Sequence, residues 1–224
     1  MTTDARYDGI ADWYDSEFQP APLESETWHT LVALLSDPAG SLLDVGCGTG
    51  TYASALAGLG WDVTGVDISE DMLRRAAAKG VNAVRADATA LPFADASFDA
   101  AVSVFTHTDL DDFAGVVCEV VRVLRPGAPF VYLGAHPCFV GPHSVYDIDR
   151  AAPELHPGWY RRTGRYDEAP GIWRGSGVRV RVGASHLPLG LFLQVFLDAG
   201  LRLEQVEEPD EREYGFGLGF RWRR

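Results

Sequence analysis

The segment LLDVGCGTG, residues 42–50, places three glycines two residues apart directly after a short apolar run. An apolar run of this length predicts a buried strand, and the following TYASALAGLG predicts a helix with a glycine stop. Glycine permits a positive φ and lets another group approach the backbone closely. The spacing therefore indicates either a tight turn within a core or a turn kept clear for a ligand.

Strand and helix patterns alternate from this segment to about residue 135. Further strands are predicted at WDVTGVD, VNAVRAD, FDAAVSVF and APFVYLGA, with helices at SEDMLRRAAAKG and LDDFAGVVCEVVRVLRPG. The alternation predicts a parallel sheet that carries helices on both faces. After residue 185, HLPLGLFLQVFLDAG predicts an apolar helix, and LRLEQVEE and FGLGFRWRR predict two final strands. The 224 residues are best interpreted as one domain.

Two segments stand apart from the alternation. Residues 1–36 carry apolar side chains at helical spacing and predict amphipathic helices. Residues 136–185 hold five prolines, seven glycines and six aromatic residues, and predict a cap over the substrate, because long irregular segments are usually functional. The aromatic residues favour a flat or apolar acceptor, and an arginine among Arg161, Arg162, Arg165 and Arg174 is predicted to meet an acid group.

Charge and cysteine content restrict the classes of partner. The formal net charge of −13 opposes binding to phosphate backbones, so nucleic acid is not expected as a substrate. The three cysteines lack CxxC spacing, which predicts a reducing, cytoplasmic setting and no structural zinc. The chain has no run of 18 apolar residues and its first residues do not resemble a signal peptide, so no membrane association is expected.

Acidic residues end the second and third predicted strands. Asp67 follows Gly46 by 21 residues, and its carboxylate could accept hydrogen bonds from both hydroxyls of a ribose. Asp87 could accept a hydrogen bond from the exocyclic amine of adenine. Ligands bind beyond the carboxyl ends of strands in open α/β sheets, so the two acids and the glycine turn predict a nucleoside site.

These motifs resemble the class I S-adenosylmethionine-dependent methyltransferases, in particular the small-molecule branch of the type 11 and type 25 kind. The resemblance covers residues 7–135 and rests on LLDVGCGTG, VTGVDIS, VRADATALPFADASFD, AAVSVF and VVRVLRPGAPFVY. It implies a Rossmann-like three-layer αβα sandwich with a seven-stranded, mostly parallel sheet whose last strand is antiparallel. It also implies S-adenosyl-L-methionine as cofactor and S-adenosyl-L-homocysteine as product. YDGIADWYD resembles the same branch, which implies that the helices of residues 1–36 close over the cofactor as a lid. A metal is not expected, because the sequence shows no cluster of histidine, cysteine and carboxylate side chains.

The resemblance also implies roles for individual residues. Asp44 would lie near the methionyl amine, Asp67 would hold the ribose, and Asp87 would bind the adenine amine. The remaining residues implied to contact the cofactor are Tyr14 from the lid, Gly46, Cys47 and Gly48 beneath the cofactor, Ile68, Met72 and Ala88 around adenine, and Phe105 near the methionine part. Tyr7 is a weaker candidate.

Methyl transfer from a sulfonium is an in-line displacement, in which alignment and exclusion of water dominate. An oxygen nucleophile benefits from a general base. His107, just past the fourth strand, is the first candidate, with Thr106, Thr108 and Asp109 placed to orient it, and His136 is the second. The alternative for His107 is a role in shaping the pocket or capping the next helix.

The function predicted is methylation of a small molecule at oxygen or nitrogen in secondary metabolism. Three alternatives stay open at this point: a nucleic-acid or protein methyltransferase, a nicotinamide oxidoreductase, and a protein that uses the cofactor without transferring methyl, for example in cyclisation. The GxGxG spacing in place of GxGxxG disfavours the oxidoreductase.

Overall fold

The computed structural model describes residues 5–18, 22–36, 38, 40–145, 152–172, 177–209 and 213–224. Tyr146, Trp173 and Arg174, which the sequence analysis assigned to the cap, lie outside these residues. The strands of the described part are β1 (Ser41–Val45), β2 (Asp62–Asp67), β3 (Asn82–Arg85), β4 (Ala100–Val104), β5 (Pro129–Ala135), β6 (Ser144–Val145), β7 (Glu154–Leu155), β8 (Gly164–Tyr166), β9 (Ala184–His186), β10 (Arg202–Glu207) and β11 (Gly217–Arg223).

Seven of these strands form one central sheet in the order β10-β11-β5-β4-β1-β2-β3. The pairs β1–β2, β1–β4, β2–β3 and β4–β5 are parallel. The last strand, β11, lies antiparallel between β5 and β10. The predicted mostly parallel sheet with an antiparallel last strand is therefore confirmed. The order of strands reverses at β1, where β2 and β3 continue on one side and β4 on the other.

Helices cover both faces of this sheet. The described α-helices are α1 (Ala11–Trp13), α2 (Glu26–Leu35), α3 (Thr51–Gly58), α4 (Glu70–Ala78), α5 (Phe113–Val123), α6 (Val178–Val182) and α7 (Leu189–Asp198). Side chains alternate between faces along each strand, so neighbours in β1 enter different cores. Leu42 packs with α2 and α3, whereas Leu43 packs with α5 and α7. The result is the predicted three-layer αβα sandwich.

The N-terminal segment is less regular than the sequence predicted. After α1, one π-helical turn spans Tyr14–Phe18 and one 3-10 turn spans Pro22–Glu24, before Ser25 caps α2 through its hydroxyl. The described residues of the cap segment likewise form short elements, namely the β6–β7 and β8–β9 pairs and α6. In the part of the chain that is described, no helix combines the length and apolar character that crossing a bilayer requires.

Candidate active site

A cavity opens at the carboxyl ends of β1, β2, β3 and β4, where the strand order reverses. This is the location at which open α/β sheets bind ligands. The cavity is bounded by the ends of these strands and by the N-terminal segment. Its lining residues are Arg6, Tyr7, Tyr14, Val45, Gly46, Gly48, Val66, Asp67, Ile68, Ser69, Met72, Ala86, Asp87, Ala88, Val104, Phe105, Thr106, Asp109 and Leu110.

Glycine is required at the three positions of the turn after β1 for different reasons. All three have positive φ: 72° at Gly46, 53° at Gly48 and 75° at Gly50. A Cβ at Gly46 would lie 2.4 Å from Thr106 Cγ2, and a Cβ at Gly50 would lie 2.8 Å from the Cα of Ala76. A Cβ at Gly48 would meet no atom within 4 Å, and Gly48 lines the cavity. Two glycines therefore serve close packing, and one leaves open space beside the cavity.

Asp67 ends β2 at the middle of the cavity floor. Its Oδ2 accepts a hydrogen bond from the N–H of Gly48 at 2.9 Å, and its Oδ1 accepts one from the N–H of Ser69 at 2.9 Å. Burial raises the pKa of Asp67, and the hydrogen bonds from Ser69 and Gly48 oppose that rise. The carboxylate thus couples the glycine turn to the start of α4, and each of its oxygens keeps a further lone pair for a ligand.

Asp44 lies in β1 beneath the turn with a side chain that is 3% exposed. No described residue donates a hydrogen bond to its carboxylate. Burial, together with the nearby carboxylate of Asp67, raises the pKa of Asp44 to about 7. A buried acid without a partner is costly, and a cation such as an ammonium group would offset that cost.

Cys47, which was predicted to lie beneath the cofactor, does not line the cavity, and its backbone supports the turn. Its N–H donates to the carbonyl oxygen of Val66 at 2.9 Å, which joins the turn to β2. Its thiol points at β2 instead, because a Cβ on Gly65 would lie 2.8 Å from Cys47 Sγ. Burial raises the pKa of the Cys47 thiol, so the side chain stays protonated and unreactive.

The ends of β3 and β4 mark opposite ends of the cavity. Ile68, Met72, Asp87 and Ala88 all line it on the β2–β3 side, where the sequence predicted adenine. Asp87 Oδ1 accepts hydrogen bonds from both the N–H and the hydroxyl of Thr89.

Phe105 lines the cavity on the β4 side. Its φ is 57°, a left-handed conformation that is costly for a residue with a side chain. Such conformations cluster at functional sites, where the surrounding structure enforces them. The N–H of Phe105 is bound to the carbonyl oxygen of Leu133 at 2.7 Å, which helps to fix this conformation.

The N-terminal segment covers the cavity with Tyr7 and Tyr14, whose ring centroids lie 5.5 Å apart. An ion pair and a hydrogen bond hold the segment against the region of α4. Asp15 pairs with Lys79 at 2.5 Å, and the N–H of Gly9 donates to Asp71 at 2.6 Å. Tyr14 thus lines the cavity from a π-helical turn, and its contact with the cofactor stays a prediction.

Neither histidine predicted to be catalytic lines this cavity. His107 is 4% exposed, its Nδ1 shares a hydrogen bond with the Tyr132 hydroxyl, and its ring packs on Phe113 and Phe192. Burial lowers the pKa of His107 to about 3.

His136 is engaged by its own surroundings. Its Nε2 lies 3.1 Å from Glu208 Oε1, and its Nδ1 accepts a hydrogen bond from the N–H of Cys138 at 3.2 Å. Burial also lowers the pKa of His136, although Glu208 opposes the effect. The catalytic roles of both histidines stay predictions without support from this geometry.

Two charged residues that line the cavity were not predicted as cofactor-binding or catalytic residues. Arg6 lines the cavity from the N-terminal segment, and Asp109 lines it from the loop after β4. Asp109 had been assigned only to orient His107. The signal for it was present in the loop FTHTDLDD, but the sequence alone could not show which of its polar side chains faces the cavity.

The described residues contain no group of three or more histidine, cysteine or acidic side chains placed to hold a metal ion.

Comparison with known proteins identifies similar chains. A family model described as a methyltransferase domain matches residues 43–132. A demethylmenaquinone methyltransferase from Renibacterium salmoninarum is 33% identical over 159 residues, which cover 67% of this chain and 67% of that relative. An O-methyltransferase from Aspergillus sclerotiorum is 41% identical over 106 residues, which cover 43% of this chain and 40% of the relative. The chain therefore spans between 40% and 67% of the lengths of these two relatives.

A solved structure agrees with the sequence matches. The crystal structure of an S-adenosylmethionine dependent methyltransferase from Mesorhizobium loti superposes with a TM-score of 0.74 at 27% identity. The superposition covers 89% of this chain and 98% of that chain.

Proposed function

The chain belongs to the class I S-adenosyl-L-methionine-dependent methyltransferases, and from this premise we propose that it methylates a small organic molecule at oxygen or nitrogen. The cofactor of the family is S-adenosyl-L-methionine, which supplies a methyl group on a positively charged sulfur. The observation that carries the proposal is the cavity over the strand-order reversal, lined by acids at the end of β2 and just beyond β3 and covered by the N-terminal segment. Asp44 of β1 does not line this cavity but lies beneath the glycine turn.

The residues present suit this cofactor. The buried Asp44 has no hydrogen-bond donor among the described residues, and an ammonium group would supply one. The space beside Gly48 is free of protein atoms, so a ligand could lie against its backbone. In the proposed arrangement Asp67 holds the ribose hydroxyls, Asp87 and Ala88 bind the adenine, and Ile68 and Met72 pack on its faces.

A small acceptor is favoured by how the region is enclosed. The cap joins the loop after β4 through the N–H of Ser185, which donates to the carbonyl oxygen of Thr108 at 2.6 Å. The cap also joins the N-terminal segment, because Arg181 of α6 lies 4.0 Å over the ring of Trp13. An acceptor between these segments would be screened from water, which methyl transfer benefits from. The formal charge of −13 disfavours RNA or DNA in that position.

The names of two relatives indicate which kinds of methyl transfer occur among similar chains. One is named as acting on demethylmenaquinone and another as an O-methyltransferase. We assign a flat or acidic acceptor, on the aromatic residues and arginines of the cap. We also propose a place in natural-product biosynthesis, in the cytoplasm.

The test combines binding with product analysis. S-adenosylhomocysteine should raise the melting temperature by mass action, whereas NAD should not. A panel of phenols, amines and carboxylic acids should then yield S-adenosylhomocysteine together with a methylated product. Stabilisation by NAD alone would contradict the proposal. Binding of the cofactor with conversion of an acceptor but no transfer of methyl would favour a non-methylating use of the site.

A further inference from the structure

The loop after β4 holds Asp109 in a fixed position at the cavity wall. Its own N–H donates to the carbonyl oxygen of Thr106 at 2.8 Å. Arg6 of the N-terminal segment donates to the carbonyl oxygen of Asp109 at 2.8 Å. One residue earlier, the Thr108 carbonyl oxygen receives the N–H of Ser185 from the cap. Two separate parts of the chain therefore converge on this loop and help to fix its position, as a reacting group requires.

The order of strands places Asp109 at the end of the cavity where we expect the methyl group of the cofactor. Adenine is assigned to the end of β3 and ribose to the end of β2, and the sheet continues through β1 to β4. Three strand spacings separate β3 from β4, which corresponds to roughly 14 Å. A ligand that begins at β3 and crosses the glycine turn after β1 would thus bring its far end toward the loop of Phe105 and Asp109. That end is where the acceptor must also arrive.

The other polar groups near this end are already engaged. The carboxylate of Asp67 accepts two backbone N–H groups, and the ring of His107 lies in an aromatic cluster behind the cavity wall. Tyr7 is close enough to donate its hydroxyl to the carboxylate of Asp109, and so orients it. Asp109 is not used to cap α5, because Asp112 fills that position.

We propose that Asp109 is the catalytic base that accepts a proton from a weakly acidic hydroxyl group of the acceptor. The assignment rests on the proposed function. It narrows the acceptor to molecules with a phenol-like hydroxyl group whose oxygen receives the methyl group.

The step balances as follows. The hydroxyl O–H bond breaks and its proton passes to a carboxylate oxygen of Asp109. The electron pair of the acceptor oxygen forms the new bond to the methyl carbon, while the electrons of the carbon–sulfur bond remain on sulfur and neutralise its charge. Asp109 then returns its proton to water when the cavity reopens.

The protonation behaviour of Asp109 supports this role. Burial raises the pKa of Asp109 to about 6, which leaves most of the group ionised at neutral pH and still basic enough to take a proton. The opposing influences on this pKa come from Arg179 first, then from Tyr7 and Arg6, whereas the carboxylate of Asp67 adds to the rise. The other titratable groups that feel the charge of Asp109 are Tyr14 of the N-terminal segment, Tyr132 of β5 and Tyr166 of β8.

The test compares Asp109→Asn with Asp111→Asn. Asp111 lies in the same loop, its side chain is 51% exposed, and it does not line the cavity. With phenols as acceptors, Asp109→Asn should lower kcat by roughly 10²–10⁴-fold and should remove the acidic limb of the pH–rate profile near pH 6. Asp111→Asn should retain both. The defect of Asp109→Asn should shrink as the phenol becomes more acidic, because an ionised acceptor needs no base.

Two further measurements do not depend on the acceptor. Carboxyl ¹³C NMR of the ligand-free protein should show a resonance that titrates near pH 6 and is missing in Asp109→Asn. Asp109→Asn should also change the affinities for S-adenosylmethionine and S-adenosylhomocysteine by the same factor. A larger loss for the sulfonium form would make Asp109 a counter-charge to the sulfur and would overturn the base assignment.

The remaining outcomes separate the two proposals. A variant with wild-type kcat and an unchanged pH profile would overturn the role of Asp109 and leave the methyltransferase function intact. A carboxyl group that titrates below pH 4.5 would do the same. A wild-type protein that binds the cofactor but methylates no acceptor of the panel would overturn the proposed function, and the base assignment with it.

Discussion

Replacing Gly48 with alanine should mainly weaken cofactor binding, whereas replacing Gly50 with alanine should mainly lower stability. Both glycines have positive φ. The left-handed conformation costs a residue with a side chain about 1–2 kcal/mol, and both variants bear this cost. At Gly50 the new Cβ would also lie 2.7 Å from Ala76 Cβ and 2.8 Å from its Cα. Overpacking of this kind adds roughly 1–3 kcal/mol, so Gly50→Ala should lose about 2–5 kcal/mol of stability. Gly48→Ala meets no protein atom and should lose only the first amount.

Binding should show the reverse order. The methyl group of Gly48→Ala would project beside the cavity, where we place the cofactor, and a clash worth about 1–3 kcal/mol corresponds to roughly 5- to 150-fold weaker binding. Gly50 does not line the cavity, so Gly50→Ala should bind S-adenosylhomocysteine within about threefold of the wild type. Urea unfolding gives the stabilities, and calorimetric titration at 15 °C, where both variants stay folded, gives the affinities. Wild-type affinity in Gly48→Ala would show that the cofactor does not lie against this turn.

Three further substitutions test the assigned carboxylates and the first histidine. Asp67→Ala should weaken cofactor binding by about 1–3 kcal/mol by calorimetry, and unchanged affinity would refute the ribose contact. Asp44→Asn should stabilise the ligand-free protein at pH 8, because a carboxyl pKa of about 7 in place of 3.8 costs at most roughly 4 kcal/mol when the group is ionised. That gain should shrink as the pH falls through 7 and vanish below about pH 4, and a pH-independent gain in urea unfolding would contradict the assigned cause. His107→Asn should keep turnover within about tenfold and lose stability; a loss of 10²–10⁴-fold in kcat with intact cofactor binding would restore His107 as the base.

The sequence predicted most of the sheet because its strands are defined locally. Apolar runs placed β1, β2, β4 and β5 close to their observed bounds. The family resemblance implied seven strands with the last one antiparallel, but the order of the strands was not predicted, since the alternation of strands and helices alone allows several orders. The glycine turn was placed correctly, but its reason was only partly right. Packing against Thr106 and Ala76 explains two of the glycines, and neither contact can be read from the local sequence.

The catalytic end of the site depends on contacts between distant segments. Arg6 reaches Asp109 across 103 residues, and Ser185 reaches Thr108 across the whole cap. No pattern within FTHTDLDD decides whether the histidine or the first aspartate faces the cavity. Histidine was the natural choice because its ordinary pKa lies near neutrality. In the folded chain burial reverses this expectation, since it lowers the pKa of His107 to about 3 and raises the pKa of Asp109 to about 6.

Three carboxylates with raised pKa values lie in or beneath one cavity, and each of them costs stability when it is ionised in the absence of a ligand. Asp67 and Asp109 line the cavity, whereas Asp44 lies beneath the glycine turn. Asp67 adds to the rise at both Asp44 and Asp109, so their charges are electrostatically coupled. Such an arrangement is retained where a cation offsets its cost. S-adenosylmethionine and S-adenosylhomocysteine carry the same ammonium group, so an acid compensated by that group should hold donor and product alike. This expectation agrees with the equal change in the two affinities that we predict for Asp109→Asn.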